Sequence, residues 1–289
     1  MFQGKISGSD LGQTKQTYIV SSTTNQRETN EDSFQLFSLI PAIGQSLITV
    51  LAVADGMGGH AHGEEVSREA LRKVSLALFE HLTVERSLNN LEKAPPLDTE
   101  SLSQALLNAL EQANAHVKRM VEANKWGKAG STLVIAAILD DIAVVTNLGD
   151  SAMFHYQMSK GQLTKITEDH SVAGVLLRAQ IITPEMAQHH EGRHRLEYYL
   201  GCPNLPPEPP VYQVTLALGD LLLLCSDGVS SSFSNEQMNK IFTEAGSNLS
   251  VIAEHLVMEA RQLGETDNQT LILWQHHSKA VTAFDTLIQ

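Results

Sequence analysis

Leu47-Ile48-Thr49-Val50-Leu51-Ala52-Val53-Ala54-Asp55-Gly56-Met57-Gly58-Gly59 is the stretch on which the reading of the fold turns. Its first eight residues are short, largely apolar and rich in β-branched side chains, with no polar residue at every second place. That pattern predicts a strand covered on both faces, and the strand is expected to stop at Asp55, where the glycines open a tight loop. A strand covered on both faces requires packed layers on either side of its sheet.

Outward from this strand the period changes. Val66, Ala70, Val74, Ala77 and Leu78 recur at helical spacing, as do Leu102, Ala105, Leu106, Ala109, Ala113, Val117 and Met120. Two amphipathic helices are predicted, joined by a loop over residues 89–99 that contains Pro95-Pro96. Upstream, residues 1–16 read as an irregular lead-in, and Tyr18-Ile19-Val20 begins the first strand. Downstream, strands over residues 133–139 and 142–147 flank a hairpin turn at Asp140-Asp141. A polar region over residues 168–210 holds one predicted helix, at 184–190, and the break Pro203-Asn204-Leu205-Pro206-Pro207. A strand at 220–225, helices near 235–242 and 249–263, and a strand at 269–274 complete the chain. Strands in hairpin-like pairs and helices in separate pairs predict an α+β layered fold in one domain, residues 17–276, with a tail at 277–289.

Composition narrows the function. The chain has 289 residues, 42% of them hydrophobic, which is enough for a substantial core. Its 33 acidic and 20 basic side chains give a formal charge of −13. A surface so acidic argues against nucleic acid and anionic membrane as partners. Two cysteines, Cys202 and Cys225, make no disulfide framework, and the polar start Met1-Phe2-Gln3-Gly4-Lys5 lacks the apolar centre of a signal peptide. The longest apolar runs, 47–54 and 221–225, are too short to span a bilayer. The expectation is a cytoplasmic protein.

Four aspartates stand where strand meets loop: Asp55, Asp150, Asp227 and Asp267. Three of them adjoin glycine, in Asp55-Gly56, Gly149-Asp150 and Asp227-Gly228. An aspartate beside glycine after a strand is ordinary turn chemistry. If the strand ends converge, however, the four form an all-oxygen pocket whose like charges repel. Divalent cations relieve that repulsion, and hard oxygen ligands favour magnesium or manganese. Spacing alone leaves the two readings balanced.

An ordered set of motifs tips the balance. Arg27-Glu28-Thr29-Asn30-Glu31-Asp32, Val53-Ala54-Asp55-Gly56-Met57-Gly58-Gly59-His60, Gly130-Ser131-Thr132, Gly149-Asp150-Ser151, Thr167-Glu168-Asp169-His170-Ser171, Ser226-Asp227-Gly228 and Asp267-Asn268 follow one another along the chain. In identity and order they resemble the metal-dependent type 2C (PPM) serine/threonine protein phosphatases, bacterial-type branch. The resemblance implies a four-layer α-β-β-α sandwich, two antiparallel sheets packed face to face with helix pairs outside. It also implies a centre of two Mn2+ or Mg2+ ions at one end, with a third held more weakly.

Carried over by position, Asp55 would bridge the two ions and Asp227 and Asp267 would complete the first. The Gly56 carbonyl would serve the second ion, with Glu31 reaching it directly or through water. Asp150 with Asp227 matches the pair holding the third ion, and Asp32 and Asn268 would lie just behind these ligands. Arg27 matches the arginine that grips the substrate phosphate, so Arg27, Asp55 and Asp227 are the expected catalytic residues. The implied reaction is hydrolysis of phosphoserine or phosphothreonine by a hydroxide shared between the two ions, without a phosphoenzyme. The expected partner is a phosphorylated protein, opposite a serine/threonine kinase, and the expected state a monomer.

Neither cysteine suits cysteine-phosphatase chemistry, because the sixth residue after each is Glu208 or Ser231 rather than arginine. Cys225, inside an apolar run, reads as core. Met57 stands where many eukaryotic relatives have histidine, Ala152 stands where the family commonly has arginine, and residues 171–201 match the family's mobile flap only loosely. His60 and His62 read as loop or surface residues, and His189, His190, His194, His276 and His277 as solvated. The competing reading is the same fold used as an inactive regulatory binding module.

Overall fold

Side-chain alternation along the central strands sets the layering. In the computed structural model, which describes residues 6–8, 17–41, 45–58, 62–85 and 97–277, β4 (Ile48–Met57) is buried on both faces as expected. Val50, Ala52 and Ala54 face one apolar cluster, and Leu51 and Val53 face another. In β11 (Leu221–Cys225), Leu222 and Leu224 share the second cluster, whereas Leu221, Leu223 and Cys225 face a third. A strand's period of two thus divides the interior into three cores between four layers.

Two antiparallel sheets form the middle layers. One follows the order β1 (Ile6–Gly8), β2 (Thr17–Thr23), β12 (Gln269–Gln275), β11, β8 (Ala152–Gln157), β9 (Gln162–Lys165). The other follows β10 (Val211–Thr215), β7 (Ile142–Leu148), β6 (Leu133–Leu139), β4, β3 (Asp32–Leu39), with β5 (Gly130–Ser131) on the end of β4. Helices α1 (Gly63–Phe79) and α2 (Thr99–Asn124) cover the β4 sheet through Val66, Ala70, Leu106 and Val117. Between α2 and β12 lie the short helices α3 (Val172–Arg178), α4 (Pro184–His189) and α5 (Asp227–Ser230), then α6 (Asn235–Ala245) and α7 (Leu249–Gln262). The last two cover the β11 sheet through Phe242, Ile252 and Leu256. The α-β-β-α sandwich expected from the sequence is the observed architecture.

Local chemistry starts and stops these helices. The Asp98 carboxylate accepts from the Ser101 amide at 2.8 Å to open α2, and Lys125 at φ 58° closes it. Ser234 and Gln237 form a reciprocal capping box on α6.

Several details differ from the sequence reading. β4 does not stop at Asp55, because Gly56 and Met57 pair with Ser131 and Gly130 of β5. Ile6–Gly8, expected to be irregular, pairs with Tyr18–Val20. Seven-residue α3 was absent from the expected polar region, since two turns are too short to show a period. Strand β3 has no sequence signal of its own, because as an edge strand it is mostly half-buried, without clean alternation. The hairpin at Asp140-Asp141 forms as expected, with Asp140 at φ 54°. Residues 86–96 of the expected interhelical loop and 278–289 of the tail lie outside the described residues.

Phe242 is fully buried, its ring 5.2 Å from that of Tyr156. Phe242→Ala leaves a cavity between α6 and the β11 sheet and is expected to cost about 3–5 kcal/mol of unfolding free energy. Urea unfolding followed by circular dichroism measures it, and a loss below 1 kcal/mol would contradict this account of the outer core.

Candidate metal centre

The ends of β4, β7 and β11 and the start of β12 meet at one edge of the sandwich, and each brings an aspartate. Asp55 sits near the end of β4, opposite Asp32 in the β3–β4 register. Its amide donates to Thr132 Oγ1 at 2.9 Å, and its carbonyl accepts from the Thr132 amide at 2.8 Å. The Thr132 hydroxyl in turn lies 2.6 Å from that of Ser151, next to Asp150. Three motifs far apart in the chain are therefore joined by one threonine.

Glycine is required where the backbones crowd. A Cβ on Gly56 would lie 2.1 Å from the Gly63 carbonyl oxygen and 2.8 Å from that of Glu31. Gly149 lies at φ 95°, a conformation that glycine adopts without strain, and turns the chain from β7 to Asp150. Its carbonyl accepts from the His170 amide at 2.9 Å, which ties the Asp150 loop to the segment leading into α3.

Asn268 holds the opposite wall. Its Nδ2 donates to the Thr24 and Thr29 carbonyls at 3.1 and 2.9 Å, and its Oδ1 accepts from the Glu31 amide at 2.8 Å. These bonds fix the loop between β2 and β3, which carries Arg27 and Glu31. Arg27 is exposed, and its Nη2 lies 2.8 Å from Asp267 Oδ2. Asp32 is buried and accepts from Ser226 Oγ at 2.7 Å, a bond between the two sheets directly beside Asp227.

The assembled charges oppose one another. Burial raises the Asp55 pKa well above its ordinary value, and the charges of Asp32, Asp227, Asp150 and Asp267 raise it further. Burial also raises Asp150, assisted by Asp227 and Asp169. Asp32 is pushed up to about 7, chiefly by burial, although Ser226 hydrogen-bonds to its ionised form. Glu31 is raised by burial and by Asp267, against the lowering effect of Arg27. Protons or cations relieve such a cluster. The donors are hard oxygens, and Gly56 lets main chain approach main chain at the same spot, so the residues present fit a magnesium- or manganese-type centre.

The structure thus brings together Glu31, Asp32, Asp55, Asp150, Asp227, Asp267, Asn268 and Arg27 at one end. His194 is exposed, as expected, and its Nδ1 lies 3.2 Å from Asp227 Oδ2. The hydrogen bond to Asp227 holds the imidazole pKa above its usual value. A lone histidine in a loop carries no spacing signal, so the sequence could not single it out. His276, also expected to be solvated, is buried beside Trp274, and burial lowers its pKa. His62 stacks on Trp126 with ring centroids 4.6 Å apart, and His60 lies outside the described residues. Ala152, where arginine was the common expectation, is fully buried in the outer core beneath α6 and α7 and forms no ion pair.

Comparison with known proteins gives a concordant result. The family model for protein phosphatase 2C matches residues 21–257. The serine/threonine phosphatase stp of Listeria monocytogenes is 30% identical over 225 residues, spanning 78% of this chain and 83% of that protein. The crystal structure of the Mycobacterium tuberculosis serine/threonine phosphatase PstP/Ppp aligns with a TM-score of 0.70 at 27% identity. That alignment covers 90% of this chain and 98% of the other. The catalytic domain of PstP in complex with two manganese ions aligns with a TM-score of 0.67 at 25% identity, covering 89% and 96%.

A carboxyl whose native pKa exceeds its unfolded value costs stability once it ionises. Between about 3.8 and about 7, native Asp32 holds a proton that the unfolded chain has released, so stability falls as pH rises through that window. Asp32→Asn removes this contribution. Thermal melts of metal-free protein are expected to show a shallower decline for the variant than for the wild type across that range. Parallel curves would contradict the assignment.

Proposed function

The chain belongs to the protein phosphatase 2C family, and from that premise we infer that it is a metal-dependent protein serine/threonine phosphatase acting on phosphoserine and phosphothreonine in proteins. The observation that carries the inference is the field around Asp55, where Asp32, Asp227, Asp150 and Asp267 all act on a single half-buried carboxyl. A protein gains nothing in stability from such an arrangement, and a site built to hold divalent cations requires it.

In this reading Asp55, Asp227 and Asp267 would hold one cation, and Asp55, the Gly56 carbonyl and Glu31, directly or through water, would hold a second. Asp150 with Asp227 offers a further position. The manganese complex of the PstP catalytic domain favours Mn2+ as the resident ion, with Mg2+ as the alternative. Bound cations supply Lewis-acid neutralisation of phosphoryl charge and a water of near-neutral pKa.

The chain's own residues do the rest. Thr132 holds the Asp55 main chain at both its amide and its carbonyl, so the residue is positioned before any ligand arrives. Arg27 presents a planar forked cation suited to two phosphate oxygens. Its pair with Asp267 is solvent-exposed and contributes at most about 1 kcal/mol, so the guanidinium transfers to a phosphate at little cost. Neither thiol serves as nucleophile: Cys202 and Cys225 are buried, and burial pushes Cys225 up to about 12.

No helix among the described residues is long and apolar enough to cross a membrane. Two buried free thiols suit a reducing compartment. On the thiols we place the enzyme in the cytoplasm, and we propose that it acts as a monomer opposing a serine/threonine kinase.

Hydrolysis of para-nitrophenyl phosphate and of a phosphothreonine peptide, with Mn2+, with Mg2+ and with chelator, tests the reading. Turnover is expected with metal alone, and Asp55→Asn and Asp227→Asn are each expected to abolish it. Arg27→Ala is expected to lower kcat/KM about 10- to 100-fold, the equivalent of ~1.5–3 kcal/mol for a charge-assisted hydrogen bond. No turnover with either metal in folded protein would overturn the enzyme reading.

A further inference from the structure

His194 reaches the carboxylate centre from a part of the chain that the family motifs do not cover. Asp150, His194 and Asp227 each offer a ligand atom, and the three atoms lie within 4.8 Å of one another. They come from the β7–β8 connection, the segment after α4 and the start of α5. Adjacent ligands on an octahedral ion bound at about 2.2 Å stand about 3.1 Å apart, and opposite ones about 4.4 Å. The separation of His194 Nδ1 from Asp227 Oδ2 is 3.2 Å, the spacing of adjacent ligands.

The backbone around His194 is held in place, although its side chain is half exposed to solvent. The Val172 amide donates to the Arg195 carbonyl at 3.0 Å, and Ser171 forms a β-bridge with Leu196. The Glu197 amide donates to the His170 carbonyl at 2.7 Å, and the His170 amide donates to Gly149, next to Asp150. A short path of main-chain bonds therefore runs from one carboxylate of the trio to the histidine.

We propose that His194 is a ligand, carried by the 171–200 segment, of a cation shared with Asp150 and Asp227, and that this cation fastens the segment to the catalytic end. The proposal rests on the phosphatase reading above and adds to it a nitrogen ligand. One imidazole with two carboxylates favours Mn2+ over Mg2+, because Mg2+ keeps to oxygen ligands and gives up its water reluctantly. Mn2+ at this position therefore orders residues 171–200, and Mg2+ does so poorly. A proton on His194 between the two carboxylates would satisfy the same contacts, so the decisive observation is how the segment responds to metal.

Calorimetric titration of the full chain with Mn2+ and with Mg2+ tests this, with hydrogen–deuterium exchange of residues 171–200 as a readout independent of turnover. Wild type is expected to show a weaker class of Mn2+ site beside the tight ones, and slowed exchange as that class fills. His194→Ala, at an exposed position, is expected to weaken this class at least about tenfold, to abolish the slowing and to leave the tight class intact. Asp150→Asn is expected to remove the same class, and Mg2+ binding is expected to be alike in wild type and His194→Ala. Retention of the weaker class at wild-type affinity in His194→Ala would overturn the proposal, as would its absence from wild type; with tight binding and turnover preserved, either result leaves the phosphatase reading standing. A wild type that binds no Mn2+ at all overturns both.

Discussion

Repulsion among crowded carboxylates governs the catalytic end of this protein. Asp55 is desolvated and lies in the field of four other aspartates, so its ionised form is costly in the metal-free chain. Folding must hold these groups together against their own charge. It does so with neutral polar groups that bind the backbone rather than neutralise the carboxylates. Thr132 brackets the Asp55 peptide, Ser151 shares the threonine hydroxyl, and Asn268 pins both ends of the Arg27 loop. These bonds use no carboxylate oxygen, so a cation taken up by the carboxylates does not compete for them.

The two sheets meet at the same place. Ser226, between β11 and Asp227, donates to Asp32 on the strand paired with Asp55, and its oxygen accepts from the Thr270 amide at 3.1 Å. One hydroxyl thus sets the spacing between the sheets at the level of the carboxylates. Away from this end the sheets are joined by apolar packing of residues such as Leu51, Val134, Leu224 and Ile272, which is strong but has no direction. Directional bonds are concentrated where the chemistry needs atoms in defined positions.

Charge at the rim behaves differently from charge at the base. Arg27 and Asp267 form an exposed pair in which solvent screens the attraction, so exchanging one partner for a phosphate costs little. His194 lies between these extremes, on a backbone anchored to residues 149 and 170–172 but with its ring at the surface. The family resemblance predicted the arginine. It did not predict the histidine, because residues 171–201 resemble the family only loosely.

Much of the fold was legible because strong periodicities have a single packing solution. The largely apolar run at 47–54, the helical repeats from Val66 and Leu102, and the closing strand at 269–274 could be buried only in layers. Strand β3, helix α3 and the lead-in strand were not legible, because short or edge elements take their structure from partners distant in sequence. Among the site residues, the sequence by itself determined which carboxylates stand at strand ends and in what order, since turn chemistry and motif identity are local properties. Only the tertiary structure decided that Asp32 is buried against Ser226, that β4 continues through Gly56, and that His194 meets Asp227. Each of those contacts joins residues far apart in the chain or depends on a strand pairing, and local sequence carries no record of where its distant partners will fall.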